Sequence, residues 1–312
     1  MRTDFVIDDR SLYNFVKRTL RFKIPISLGF QYIGKLVDLS NYIRNTLSKT
    51  IYISEDFLSH KIDNVSIQEH LLKPKHHNNR DAFLLLSVTI NRQSTYDPFN
   101  HYDEELIAYD KGFTSLSYIK NKPAAYITNR TVQVRDWWNK DIHYKCYEYI
   151  DALKIYRNDF YSLSPSYDEA YNVKDVLWPN CYFHNEKTER FDNLCVSETM
   201  YLNAVFLHLD YINDHGQDDF KANVTPRDLT IKARTFGVEM SPESPNTRSK
   251  PKAMKERVIT INGTDITCEW HSKITETTGR IHVNFNTNEP NSIKQIVKGK
   301  VIIGIFTDHL TT

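Results

Sequence analysis

The sequence predicts an α+β protein, with a mainly helical, mixed N-terminal part followed by a small antiparallel β-rich unit at the C-terminal end. Three observations carry that prediction. Apolar residues recur at helical spacing in several separate runs before residue 240. A stretch around 241–257 combines prolines, serines and charge in a composition that does not pack. Beyond it, 258–312 alternates apolar and polar residues between turn dipeptides.

From Ser11 to Lys49 the runs Leu12, Phe15, Val16, Leu20 and then Tyr32, Leu36, Leu39, Tyr42, Ile43 predict two helices parted by Pro25. Asp81 to Ile90, with its unbroken apolar core, reads as a buried strand, and the polar stretch Asn91 to Asp103 as a loop. Short β-prone pieces follow, among them Ala125 to Thr128 and Thr131 to Val134. Helical spacing returns over Cys146 to Arg157 and over Phe191 to Ile212, where Leu202, Val205, Phe206, Leu209 and Ile212 share a face. Arg227 to Val238 suggests one more helix. The segment Ser241 to Lys252, SPESPNTRSKPK, then marks the expected boundary: 1–240 as a sensing or recognition region, 241–257 as a linker and 258–312 as the chemical unit.

Composition narrows the function classes. With 40 Lys+Arg against 39 Asp+Glu the net charge is +1, so no global basic field drives nucleic-acid binding and any such contact needs a local patch. The first residues, Met1 to Asp9, lack the basic and apolar regions of an export signal. The longest apolar run, Phe83 to Ile90, is far short of the roughly 20 residues that cross a bilayer. The four cysteines, Cys146, Cys181, Cys195 and Cys268, are widely spaced, as expected of reduced thiols in the cytoplasm. The chain has 9 glycines and neither GxGxxG nor GxxxxGK[ST], so no cofactor held by a glycine loop is expected.

The C-terminal unit carries the chemistry. Asp265 to Thr275, Arg280 to Asn286 and Val301 to His309 read as strands of an antiparallel meander, with turns at Asn262-Gly263, Thr278-Gly279 and 286–295. Alternation puts Ile266, Cys268, Trp270 and Ile274 on one face of the first strand and Glu269, His271 and Lys273 on the other. Pairing with one face buried then aligns Arg280 and His282 with the charged set. Glu269, His271, Lys273, Arg280 and His282 thus meet on one small sheet, with His309 at the end of the third strand.

Two histidines can supply a base and an acid near neutral pH, while lysine and arginine hold a phosphate and its developing charge. In a ribonuclease of this kind His271 or Glu269 takes the ribose 2′-hydroxyl proton. Lys273 and Arg280 stabilise the phosphorane, and His282 protonates the leaving oxygen, with His309 as a further acid candidate. Zinc held by Cys268 and His271 is disfavoured, because residues three apart on a strand face opposite ways. Magnesium is disfavoured too, since Glu269 stands alone on its face, with Asp265 at the far end and Asp308 on the other side. No metal ligand set is therefore expected.

The strings Cys268 to Ile274 (CEWHSKI), Gly279 to Val283 (GRIHV), Val301 to Ile305 (VIIGI) and the closing His309-Leu310 carry a resemblance over the last 55 or so residues. They resemble the C-terminal region of a scattered family of uncharacterised bacterial, often defence-associated proteins with the pattern W-H-x-K-[IL] … R-I-H-F … I-G. The same strands are similar to the sheet of RelE-like toxin ribonucleases. That likeness implies Lys273 and Arg280 as residues gripping RNA.

Several N-terminal signals have a bland reading beside a functional one. Lys73 to Arg80 is a basic turn that usually covers a solvated loop. Trp137 and Trp138 are adjacent and cannot share a face, so at least one belongs to the core. His184 is expected to be structural, and Tyr161, Tyr167, Tyr171 and Tyr182 to be packing residues.

Two functions remain open. The first is a regulated bacterial nuclease-type effector, a toxin or antiviral defence protein acting on RNA rather than DNA in the cytoplasm, with a possible partner or antidote protein and no membrane association. The alternative is a non-catalytic recognition protein that binds nucleic acid, a phosphate-bearing ligand or a partner through the same face.

Overall fold

Short apolar strands flanked by longer amphipathic helices dictate the first half of the chain. The computed structural model describes residues 3–22, 26–73, 80–96, 124–127, 143–222 and 225–311. It divides into two units, Met1–Leu163 and Ser164–Thr312, and the whole is α+β, as the sequence predicts.

In the first unit Asp4–Ile7 (β1), Ile51–Ser54 (β2), Ser94–Tyr96 (β5), Ala124–Ile127 (β6) and His143–Cys146 (β7) form a parallel sheet in the order β5-β2-β1-β6-β7. Lys61–Ile62 (β3) and Val65–Ser66 (β4) make a separate small hairpin. Parallel strands are covered on both faces, and β6 is accordingly buried at every residue, as are Phe5, Val6 and Ile7. The two expected helices are present as Asp9–Phe22 and Ile26–Asn41, packed so that Phe15 stacks on Tyr32 with ring centroids 3.9 Å apart.

One element differs in kind from the sequence reading. The segment read as a strand, Asp81 to Ile90, lies in a helix, Arg80–Asn91. Ala82, Phe83, Leu86 and Ile90 are buried while Leu84 and Val88 are exposed. That spacing is helical, and an apolar run interrupted only by Ser87 and Thr89 hides the period that would have told helix from strand. Of the expected loop from Asn91 to Asp103, Ser94–Tyr96 is a strand. Pro25, 74–79, 97–103, Thr131 to Val134 and Trp137-Trp138 lie outside the described residues.

The second unit is built on a five-stranded sheet in the order β8-β14-β13-β12-β9, comprising Cys181–Phe183 (β8), Glu239–Pro242 (β9), Trp270–Lys273 (β12), Arg280–Asn284 (β13) and Val301–Thr307 (β14). β9, β12, β13 and β14 run antiparallel to their neighbours, and β8 joins β14 in parallel. Val258–Ile261 (β10) and Thr264–Thr267 (β11) form a hairpin of their own.

The helix Glu198–Tyr211 serves one face, its His208 Nδ1 lying 2.5 Å from Ser272 Oγ. On the opposite face Ile259, Ile261, Ile266, Cys268, Ile293, Val297, Ile302 and Ile305 make one buried cluster. Gly304 belongs to it by necessity: a Cβ there would stand 2.2 Å from Cys268 Sγ.

The expected linker, 241–257, is folded. Glu239–Pro242 is the sheet's edge strand, and Pro245–Arg248 and Pro251–Glu256 are short helices. Each helix has proline in its first turn, where the missing N–H costs nothing and the fixed φ favours the helix. Prolines that read as a linker are thus helix starts, and the unit boundary falls at 163/164 instead.

The expected strand Asp265 to Thr275 is also broken at Cys268-Glu269 and shared between two sheets. Ile266 and Cys268 therefore join the cluster beneath β14, while Trp270 packs on Phe220 and Phe285.

Candidate functional site

The turn Thr275 to Thr278 sets the register of β12 against β13. Ile274 N–H donates to Gly279 O at 2.9 Å and Thr275 N–H to Thr278 O at 3.1 Å. That register puts His271 directly opposite His282 and Lys273 directly opposite Arg280. β9 then places Ser241 opposite His271 and Glu239 opposite Lys273.

Just past β9, Glu243 donates its N–H to Glu269 O at 2.8 Å, which fixes its carboxylate under the histidines. Its Oε1 is the hub of the site: Arg257 Nε lies at 2.7 Å, His271 Nδ1 at 3.2 Å and His282 Nδ1 at 3.8 Å. The Glu243, Arg257 and His282 side chains are each at most 4 % exposed, against 12 % for His271. Arg257 is held from behind by its Nη1, which donates to Ala253 O at 2.7 Å. His282 Nδ1 also lies 3.3 Å from Cys268 O, while its Nε2 is buried without a hydrogen-bond partner.

These groups meet a cavity of about 340 Å³ that is also lined by Lys273, Arg280 and His309. Burial opposes charge on Glu243, yet His271 and Arg257 beside it outweigh that cost and hold its carboxyl down to about 2. Burial, reinforced by His271, pushes His282 down to about 3. At neutral pH the site thus holds a carboxylate, a guanidinium and a neutral His282, a buried ion pair whose desolvation cost asks for a reason.

Of the six residues expected to act, His271, Lys273, Arg280, His282 and His309 line the cavity. Glu269 does not line it, and its carboxylate stands 3.4 Å from Arg248 Nε, because the break before β12 takes it off the His271 face. Arg280 has a structural duty. Its Nη1 donates to Thr275 O and Thr278 O at 2.9 Å and its Nη2 to Glu276 O at 2.8 Å, which staples the turn. Lys273 Nζ pairs with Glu239 Oε1 at 3.0 Å and remains partly exposed.

Glu243 and Arg257 were missed because both lie in the stretch read as linker. The available signal was the period-2 polar set Glu239, Ser241, Glu243, which is an edge-strand pattern.

Metal-donor chemistry is confined to one place among the described residues. Glu243, His271 and His282 offer ligand atoms within 4.8 Å of one another. Cys268 takes no part: it is buried in the apolar cluster, which pushes its thiol up to about 12.

The remaining aromatic and histidine signals of this unit are structural. Trp178 Nε1 donates to Asp210 Oδ1 at 2.8 Å, Tyr167 and Tyr171 pack on Phe191, and His184 Nε2 stands 3.3 Å from Thr260 O. Among the described residues no helix is long and apolar enough to cross a membrane. The chain matches no protein-family model, no curated protein and no solved structure, so its functional reading rests on this geometry.

Proposed function

We propose that the chain is a regulated nuclease-type effector, of the bacterial toxin or antiviral-defence kind, that cleaves RNA at the cavity of its C-terminal sheet without a metal. The observation that carries this reading is His271, beside the Glu243 carboxylate and lining a cavity that is also lined by Lys273 and His309. A buried carboxylate next to an imidazole fixes its tautomer and stabilises its protonated form, which makes the ring an effective base.

RNA suits such a site because its own 2′-hydroxyl is the nucleophile. His271 Nε2 takes that proton, O2′ attacks phosphorus, and Lys273 offsets the growing negative charge. The 5′-oxygen leaves with a proton from His309, and a 2′,3′-cyclic phosphate remains. In this scheme His282, which burial holds neutral, is not the proton donor.

The first unit supports a sensing role. The strand order of its parallel sheet reverses between β1 and β6, and sheets of this kind take ligands beyond the carboxyl ends of the strands beside that switch point. Cys146, Cys195 and Cys268 stand outside any disulfide, which fits a cytoplasmic setting.

Incubating the purified full chain with an RNA and a DNA of matched sequence tests the proposal. RNA alone should be cut, leaving cyclic phosphate ends, and Lys273→Ala should slow cutting by about 100-fold. A second reading is favoured by the prior engagement of Lys273 with Glu239 and of Arg280 with the turn: a recognition face that binds a phosphate-bearing ligand, nucleic acid or a partner protein. Binding of RNA with no cleavage of any substrate would establish it.

A further inference from the structure

We infer that Glu243, His271 and His282 form a binding site for one divalent transition-metal ion, with zinc the best match to the donor set. Two histidines and one carboxylate are a recurrent three-ligand set for zinc and other first-row ions, leaving positions open for water or a substrate.

The spacing agrees. With metal–ligand bonds of about 2.0–2.1 Å, two ligands of a tetrahedral ion stand roughly 3.3 Å apart. Glu243 Oε1 lies 3.2 Å from His271 Nδ1, and Glu243, His271 and His282 each offer a ligand atom within 4.8 Å of the others. His282 Nδ1 faces the Cys268 carbonyl and carries the ring's proton, so Nε2 is the nitrogen left to ligate.

A buried His282 Nε2 without a partner is the independent sign of an incomplete site. Arg257 Nε lies 2.7 Å from the same Glu243 Oε1, so on metal binding the carboxylate must share Oε1 or turn its second oxygen to the ion while Arg257 keeps the first, as the outer hydrogen bonds of metal-bound carboxylates do. The ion adds positive charge beside Lys273 and Arg257, so the loaded cavity would attract an anion.

The inference does not depend on RNA cleavage, yet it bears on it. A His271 bound to metal through Nδ1 keeps its proton on Nε2 and cannot act as the base. Metal-bound and base-competent forms therefore exclude each other, and saturating Zn²⁺ should suppress chelator-resistant cleavage.

The test is calorimetric titration of the metal-stripped full chain with Zn²⁺, together with visible spectra of the Co²⁺ form. One ion per chain is expected, with the intense absorption of tetrahedral cobalt. Affinity should fall at least about tenfold in His271→Asn and Glu243→Gln, in line with the loss of one ligand. Glu269→Gln, outside the cavity, should bind as wild type does and so reports on folding. His271 is the most exposed of the three ligands, so His271→Asn is the informative variant should Glu243→Gln fail to fold. No stoichiometric binding of either ion, or binding that survives both ligand substitutions, would overturn the inference. Binding is read without RNA, so its failure and that of the ribonuclease reading are separate results.

Discussion

The two sheets bury different things. In Met1–Leu163 the strands β1 and β6 are apolar and buried along their length, from Phe5 to Ile7 and from Ala124 to Ile127. In Ser164–Thr312 the paired strands β12 and β13 bury Ile281 and Ser272 on one face, but Arg280 and His282 on the other, over a buried Glu243 and Arg257. The burial of β1 and β6 in the first sheet is explained by the hydrophobic effect, and the buried histidine that this sheet adds at its edge is His143 of β7. The second carries ionisable groups out of water, an arrangement that apolar residues of like volume would often replace at no loss of stability. That contrast supports the proposal that the chemistry lies in the second unit.

The sharpest way to break the comparison is to remove one partner of the buried pair. Glu243→Ala leaves Arg257 buried without its counter-charge and should cost about 3–5 kcal/mol, read as a shift in the urea unfolding midpoint. The double change Glu243→Leu with Arg257→Met should recover most of that stability while cleaving no RNA. A single variant as stable as wild type would mean that the pair is solvated.

Acidification should separate the units next. Glu243 sits at about 2 when folded against an ordinary 4.5, so its stabilisation is present above pH 4.5 and is lost as pH falls toward 2. His282 at about 3 and His208 at about 4 are held neutral, against an ordinary 6.5. Below pH 6.5 the unfolded chain takes up those protons first, so their contribution also falls with pH. Hydrogen exchange, corrected for intrinsic rates, should show β12 and β13 losing protection between pH 7 and pH 4. Undiminished protection there would show that the buried histidine rings are not linked to folding.

The smallest effect belongs to the first unit. Asp8, at the end of β1, accepts from Ser11 N–H at 3.3 Å and from Ser11 Oγ at 2.9 Å, which caps the helix that follows. Asp8→Ala should cost about 1 kcal/mol in a thermal melt, the usual value of such a cap, and leave RNA cleavage intact. A loss of cleavage larger than the loss of stability would place chemistry in the first unit as well.

How much of this could be read from sequence depended on local period. The facing of His271 and Lys273 with His282 and Arg280 was legible because alternation has a period of two and the Thr278-Gly279 turn fixes the register. Glu243 and Arg257 were not legible, since they reach the site from an edge strand and a short helix inside a proline-rich stretch. Nor was the commitment of the Arg280 guanidinium to the turn carbonyls, a tertiary detail that alternation does not encode. In the first unit the strands of the parallel sheet are only three or four residues long, and Ser94–Tyr96 is not apolar, so that sheet left little periodic trace.

The central claim, that His271 is the base of a metal-free ribonuclease site, is tested most directly by one comparison: RNA cleavage in EDTA by the wild-type chain and by His271→Ala. Loss of a general base should slow cleavage by about 10²–10⁴-fold, so the wild type should cut and the variant should not. No cutting by the wild type in EDTA, or equal cutting by both proteins, would contradict the account.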